Sequence, residues 1–293
     1  MLSLGKKTHY VHEPFNPNMR PSWLATQVPA WYYHVPLRAT SDPLIGSVDR
    51  TVALRYPMRQ MFVPSPKRAA LAAREGLAAQ VARRHDRRAV VKDPLMLLSA
   101  EWFADRYQAP VVVTIRHPAA FASSVLRLGW TFDLSNWLRQ PSLVEGLLAP
   151  FAEDLSARVS DGSDILGDAV LVWRVLHGVI AGYRERHPDW CFVRNEDLSD
   201  SPTAHFRDLY DRLGLTWTSE VATGVARHTE TDNHTELPLA DFRRVDRNSR
   251  AAARTWQRRL TSDQVARIRD ESEPQSSLFY GPIDWCSDEI TRV

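Results

Sequence analysis

Val111-Val-Val-Thr-Ile-Arg-His-Pro-Ala-Ala-Phe-Ala-Ser-Ser124 spells out a strand, a tight turn and the start of a helix. Val111 to Ile115 is β-branched without interruption, the composition of a strand covered on both faces. Pro118 suits the first turn of a helix, where its missing N–H costs nothing. Arg116 then lies at the carboxyl end of the strand, and Ser124 one to two turns into the helix. Ser123, one residue away, competes for the same hydroxyl position. A helix start offers N–H groups and a positive dipole end. A guanidinium fork and a hydroxyl added there suit a phosphate dianion, and open α/β sheets bind ligands along this edge. The plainer reading of Arg116 alone is an arginine paired with a surface carboxylate.

Outward from this element the pattern alternates. Thr8 to Val11, Ala89 to Lys92 and Trp190 to Arg194 read as further strands. Helical patterns run over 66–85, 99–107, 118–128, 202–213, 249–260 and 262–272. Residues 131–160 read as broken helix, 228–248 as a polar loop, and 14–65, dense in Pro and aromatics, as irregular. Ile165 to Arg186 is the longest helix and apolar on most of its surface, so it belongs in the centre of the fold. Strands separated by helices imply an α/β fold with a parallel sheet flanked by helices. No boundary divides the chain, so a single domain over 1–293 is expected.

Composition narrows the function. The 293 residues are 44% hydrophobic and 25% charged, with a net charge of +2. That is ordinary for a folded domain and gives no support for nucleic-acid binding. Two cysteines, Cys191 and Cys286, support neither a disulfide framework nor a zinc site. The reading is a cytoplasmic protein, with no signal peptide and no run approaching the roughly 18 apolar residues of a membrane span. His228, Glu230, Asp232 and His234 have no tight metal-ligand spacing, so no metal is expected.

Arg-x-Pro, with a Ser eight residues after the Arg, resembles the 3′-phosphate-binding element of sulfotransferases that use 3′-phosphoadenosine-5′-phosphosulfate (PAPS). Other segments are similar to bacterial members of that family, in the same order over most of residues 9–280. Tyr10-Val-His-Glu-Pro-Phe-Asn-Pro17 opens them. Val91-Lys92-Asp93-Pro94 resembles the strand end that approaches the reaction centre. Arg194-Asn-Glu-Asp-Leu198 resembles the late strand end near the adenine. Arg247-Asn-Ser-Arg250 and Trp256 resemble the loop that closes over the 3′-phosphate. The resemblance implies a P-loop-NTPase-like parallel sheet, PAPS as co-substrate, no metal, and a hydroxyl or amine acceptor on a carbohydrate or small metabolite. It implies cofactor contacts at Arg116, Ser124 or Ser123, Arg250 and Asn195. Some relatives carry an aromatic residue where Asn195 stands.

The same resemblance makes Glu13 the candidate base and His12 the second candidate, with Lys92 stabilising the leaving phosphate or the transferring sulfate. A family branch with a catalytic His two residues after the lysine is not matched, because Pro94 stands there. Asp93 is expected to partner Lys92. Glu196 and Asp197 are expected only to cap a turn. The aromatic stretches Trp23 to Tyr33 and Trp130 to Trp137 are candidates for the acceptor site.

The family's Gly-Arg-Ser-Gly-Thr-Thr type of loop, which cradles the 5′-phosphosulfate, has no counterpart here. Gly5-Lys-Lys7 does not substitute for it, and no Gly-x-x-x-x-Gly-Lys-Ser/Thr occurs. The expectation is therefore a sheet without its N-terminal strand and loop, from a truncated N-terminus. The alternative is an inactive relative that binds only the 3′-phosphoadenosine moiety.

Overall fold

A computed structural model describes residues 1–161, 164–230, 232–235 and 248–286. Arg247 and most of the polar loop expected over 228–248 lie outside the described residues. Among the described residues the chain is mixed α/β, with four strands in two separate parallel pairs rather than the one parallel sheet expected. It divides into two compact units, residues 1–109 with 136–147 and residues 110–135 with 148–293.

The first unit holds β1 (Thr8–His12), α1 (Ile45–Val52), α2 (Pro66–Arg84), β2 (Arg88–Lys92), α3 (Ala100–Tyr107), α5 (Ser135–Leu138) and α6 (Pro141–Glu145). β1 and β2 pair in parallel, with Tyr10 opposite Val90 and His12 opposite Lys92. Ser65 caps α2 by accepting from the Arg68 N–H, and Pro66 fills the first helical position. α2 buries only small residues, Ala72, Gly76, Ala79 and Ala82. That narrow face lies in one cluster with Val11, Trp23, Leu54 and Tyr56. A second cluster gathers Phe15, Leu24, Val28, Val35, Leu44, Ile45, Val48, Leu95 and Trp102.

α1 corrects the reading of 14–65 as irregular. Its buried residues, Ile45, Ser47, Val48 and Thr51, include two polar side chains, and no side chain caps its start. It therefore gives neither a long apolar stripe nor a start signal.

The second unit holds β3 (Val112–Ile115), α4 (Pro118–Leu128), α7 (Ala152–Asp161), α8 (Ile165–Arg186), β4 (Cys191–Arg194), α9 (Asn195–Asp200), α10 (Pro202–Arg212), α11 (Ser219–Thr229), α12 (Ser249–Ala253), α13 (Trp256–Arg259) and α14 (Ser262–Ser272). α8 is the central helix. Asp164 caps it by accepting from the Gly167 N–H at 2.8 Å, and it is buried on most sides from Leu166 to Tyr183. A Cβ on Gly178 would stand 2.3 Å from the Phe151 ring, so any larger residue there would force that ring to shift. Ala119, Ala120, Ala122 and Val125 of α4 pack with Leu166, Ala169 and Val170 of α8, closed by Trp256, Ile268 and Trp285.

Three expectations change in this unit. β3 is not covered on both faces: Val113 and Ile115 are buried while Thr114 between them is exposed. Residues 249–260 form two short helices with a break at Arg254 and Thr255. α8 is long and apolar enough, by length and composition, to cross a membrane, although 72% of its most apolar stretch is buried inside the fold.

Candidate functional site

β3 and β4 pair in parallel with Ile115 opposite Arg194, so both strands end level and Arg116 and Asn195 leave the same edge. Arg116 Nη2 donates to Ser124 Oγ at 2.8 Å. The two residues singled out by their spacing are thus in contact across the first turns of α4. Ser123 points the other way, 3% exposed, with its hydroxyl lacking a hydrogen-bond partner among the described residues. Helical geometry decides between the two serines: residues 123 and 124 differ by about 100° around the axis.

The peptide joining Arg116 to His117 is held from both sides. Trp173 Nε1 of α8 donates to the Arg116 carbonyl at 2.7 Å. The His117 N–H donates to Glu196 Oε1 at 3.1 Å. His117 itself is 2% exposed and stacks on Trp256, with ring centroids 4.9 Å apart. Its Nδ1 accepts from the Ala119 N–H at 3.2 Å, capping α4. One N–H of the helix start is therefore already taken, which trims the anion-binding capacity expected from the dipole end. Burial pushes the His117 pKa down to about 3, against the Asp284 charge and with that of Arg194. The ring is neutral, with its proton on Nε2 so that Nδ1 can accept.

Arg250 and Asn195 are not drawn into this contact. Arg250 Nη2 donates to the Asp200 carbonyl at 2.7 Å, and its side chain is largely exposed. Asn195 opens α9, and its carbonyl accepts from Ser199 Oγ at 2.7 Å. Glu196 corrects the turn-cap reading. Besides the His117 N–H, it accepts from the Tyr280 hydroxyl at 2.9 Å, eighty-four residues away in sequence. Only the fold reveals that link.

The other three candidates meet in the first unit. With His12 opposite Lys92, the residues after both strand ends are neighbours. The Glu13 N–H donates to the Lys92 carbonyl at 2.9 Å. Glu13 then turns the chain at φ 42°, a left-handed conformation that non-glycine residues rarely adopt. That turn sets its carboxylate against Lys92 Nζ in an ion pair, while Asn16 Nδ2 donates to the other oxygen at 3.0 Å. Burial alone raises the Glu13 carboxyl. The hydrogen bonds from Lys92 and Asn16 and the charges of Lys92 and His12 outweigh it and hold the group below the usual carboxylate range. His12 Nδ1 is hydrogen-bonded with the Tyr10 hydroxyl at 2.8 Å.

Asp93 is not hydrogen-bonded to Lys92, as expected from the sequence, but to backbone. Its two oxygens accept from the Phe15 N–H at 2.6 Å and the Leu95 N–H at 2.9 Å. Burial pushes its pKa up to about 7, against those two N–H groups; Glu13 adds to the rise and Lys92 opposes it. Asp93 thereby ties the turn after β1 to the turn after β2. Among the aromatic candidates, Trp23 and Trp137 are core residues at 4% and 3% exposure, whereas Trp31 and Trp130 are exposed.

No protein-family model, no curated protein and no solved structure matches this chain. The clusters are therefore read from their own chemistry. An arginine–serine pair at a strand–helix junction can hold a phosphate. An ionised carboxylate beside an ammonium group can take a proton and neutralise a leaving group.

Proposed function

We propose that the chain is a sulfotransferase that moves a sulfuryl group from PAPS to a hydroxyl or amine of a carbohydrate or small metabolite. The observation that carries this reading is the Arg116–Ser124 contact at 2.8 Å. These are the two residues to which the resemblance gives the 3′-phosphate, and Arg116 leaves the carboxyl edge of a parallel strand pair, where α/β sheets take ligands. Arg116 offers a planar fork to the phosphate and Ser124 a hydroxyl. The finer fold assignment, a P-loop-NTPase-like sheet lacking its loop-bearing strand, belongs to the same proposal, as does a cytoplasmic location.

In the reaction, the acceptor oxygen or nitrogen forms a new bond to sulfur as the bond from sulfur to the 5′-phosphate oxygen breaks. Glu13 is ionised and takes the acceptor's proton. On this reading the role of Lys92 is to offset the negative charge that develops on the leaving phosphate. The Lys92 ion pair lowers the basicity of Glu13, so Glu13 gains strength as a base when Lys92 turns to an anionic partner.

A second reading is favoured by one observation. No Gly-rich Ser/Thr loop for a 5′-phosphosulfate occurs in the 293 residues. On that reading the chain binds 3′-phosphoadenosine nucleotides and transfers nothing. Incubation with ³⁵S-labelled PAPS and a panel of sugar and amine acceptors separates the two. Transfer that is lost in Glu13→Gln supports the enzyme. Nucleotide binding without label transfer to any acceptor supports the binding protein, and neither binding nor transfer contradicts both.

A further inference from the structure

The Arg116–His117 peptide is fixed at both ends by side chains from other elements. Trp173, fully buried in α8, donates to its carbonyl at 2.7 Å, and Glu196, from α9, accepts its N–H at 3.1 Å. Rotation of this peptide would swing the Arg116 Cα–Cβ bond and carry the guanidinium away from Ser124. The carboxylate also has a second tie. Its other oxygen accepts from Tyr280, whose ring is 3% exposed and lies under the Arg194 guanidinium, 4.6 Å from its carbon. Arg194 is in turn ion-paired with Asp284. Burial, with the Glu196 charge and hydrogen bond next, raises the Tyr280 hydroxyl well above its usual range, so it stays protonated and donates.

We propose that Glu196 is a positioning residue for the anion site: it locks the Arg116–His117 peptide, and with it the Arg116 guanidinium. Tyr280 makes that lock depend on the docked segment 276–285. A neutral cap would do less here, because a carboxylate accepts from backbone N–H about twice as strongly as a neutral group. Its two oxygens also serve two donors at once. The anion that Arg116 meets is the 3′-phosphate only on the function proposed above; the locking of the peptide does not depend on that function.

The test uses the full chain with Glu196→Gln, Glu196→Ala and Tyr280→Phe, and two readouts. The first is amide exchange of His117, referred to that of Val125 inside α4. Glu196→Ala is expected to speed His117 exchange about tenfold or more, and Glu196→Gln, which keeps an acceptor but loses the charge, to speed it by less. Tyr280→Phe is expected to fall between. Should Glu196→Ala not fold, Glu196→Asp, a methylene too short to reach, is expected to behave the same way. Unchanged His117 exchange in a folded Glu196→Ala or Glu196→Asp chain overturns the lock. The second readout is the ratio of affinities for 3′-phosphoadenosine 5′-phosphate and adenosine 5′-phosphate. A lock on Arg116 predicts that Glu196→Ala lowers this ratio about tenfold, that Glu196→Gln lowers it by less, and that adding Arg116→Ala to Glu196→Ala lowers it no further. An unchanged ratio overturns the claim that Glu196 acts through Arg116. If exchange responds as expected but no chain binds either nucleotide, the lock stands and the proposed function falls.

Discussion

His117 makes acid stability a direct probe of the β3–α4 junction. Its ring is sandwiched among Trp256, Tyr280 and Trp285, and burial takes its pKa from the ordinary 6.5 down to about 3. A lowered histidine value stabilises the fold above the unfolded pKa, and this contribution is lost as pH falls towards 3. At pH 5 the unfolded imidazole is protonated and the folded one is not. The gap of one and a half pKa units between pH 5 and 6.5 is worth about 2 kcal/mol, at roughly 1.4 kcal/mol per unit. Protonation also removes the Nδ1 acceptor that caps α4. His117→Asn keeps a capping acceptor and does not titrate, but loses the ring contacts by an amount independent of pH. Urea unfolding of both chains at pH 7.5 and 5.0 then isolates the proton linkage, because other groups titrate alike in the two chains. The variant is expected to be less stable at pH 7.5 and to recover about 2 kcal/mol of that deficit at pH 5.0. An equal deficit at both pH values would mean that His117 is hydrated or charged, and would refute the dry packing of this turn.

Lys92→Met removes both the hydrogen bond and the charge that hold Glu13 down, so ¹³C titration of the Glu13 carboxyl should move upward; no movement would mean the ion pair is absent in solution. Asp93 has the opposite sign to His117: with its pKa raised to about 7, it stabilises the fold at low pH and loses that contribution as pH rises through 7. Asp93→Asn should therefore remove a fall in stability of about 2.5 kcal/mol between pH 5 and 8, and urea unfolding at those two pH values checks it. Ser123→Ala deletes a buried hydroxyl with no partner among the described residues and should be neutral or stabilising, with nucleotide affinity unchanged. Ser124→Ala should leave stability nearly unaltered and weaken nucleotide binding several-fold by calorimetry; the reverse pattern would make Ser123 the ligand.

Local signals carried the elements of the site. Pro118 and the apolar run ahead of it mark the start of α4, which is Pro118–Leu128 as read. The β-branched and apolar runs mark all four strands to within a residue or two. Arg116 and Ser124 stand out as a pair through the resemblance of their spacing to a 3′-phosphate-binding element, with Ser123 left as a competitor, and the structure brings Arg116 and Ser124 into contact. What the sequence hid depends on parallel pairing, which has no local signature. The register of His12 against Lys92 brings Glu13 to its lysine and sets Asp93 on the Phe15 N–H. The register of Ile115 against Arg194 brings Glu196 under His117. Glu196 read as a turn residue because both of its partners are remote in the chain. α1 was missed because its buried face is short and half polar.

The most direct measurement of the central claim is calorimetric titration of the full chain with 3′-phosphoadenosine 5′-phosphate and, separately, with adenosine 5′-phosphate, each repeated with Arg116→Ala. The account predicts that wild type prefers the 3′-phosphorylated nucleotide by tenfold or more, and that Arg116→Ala abolishes the preference while hardly changing the weaker ligand. Equal affinity for the two nucleotides in the wild-type chain, or a preference that survives the loss of Arg116, would contradict it.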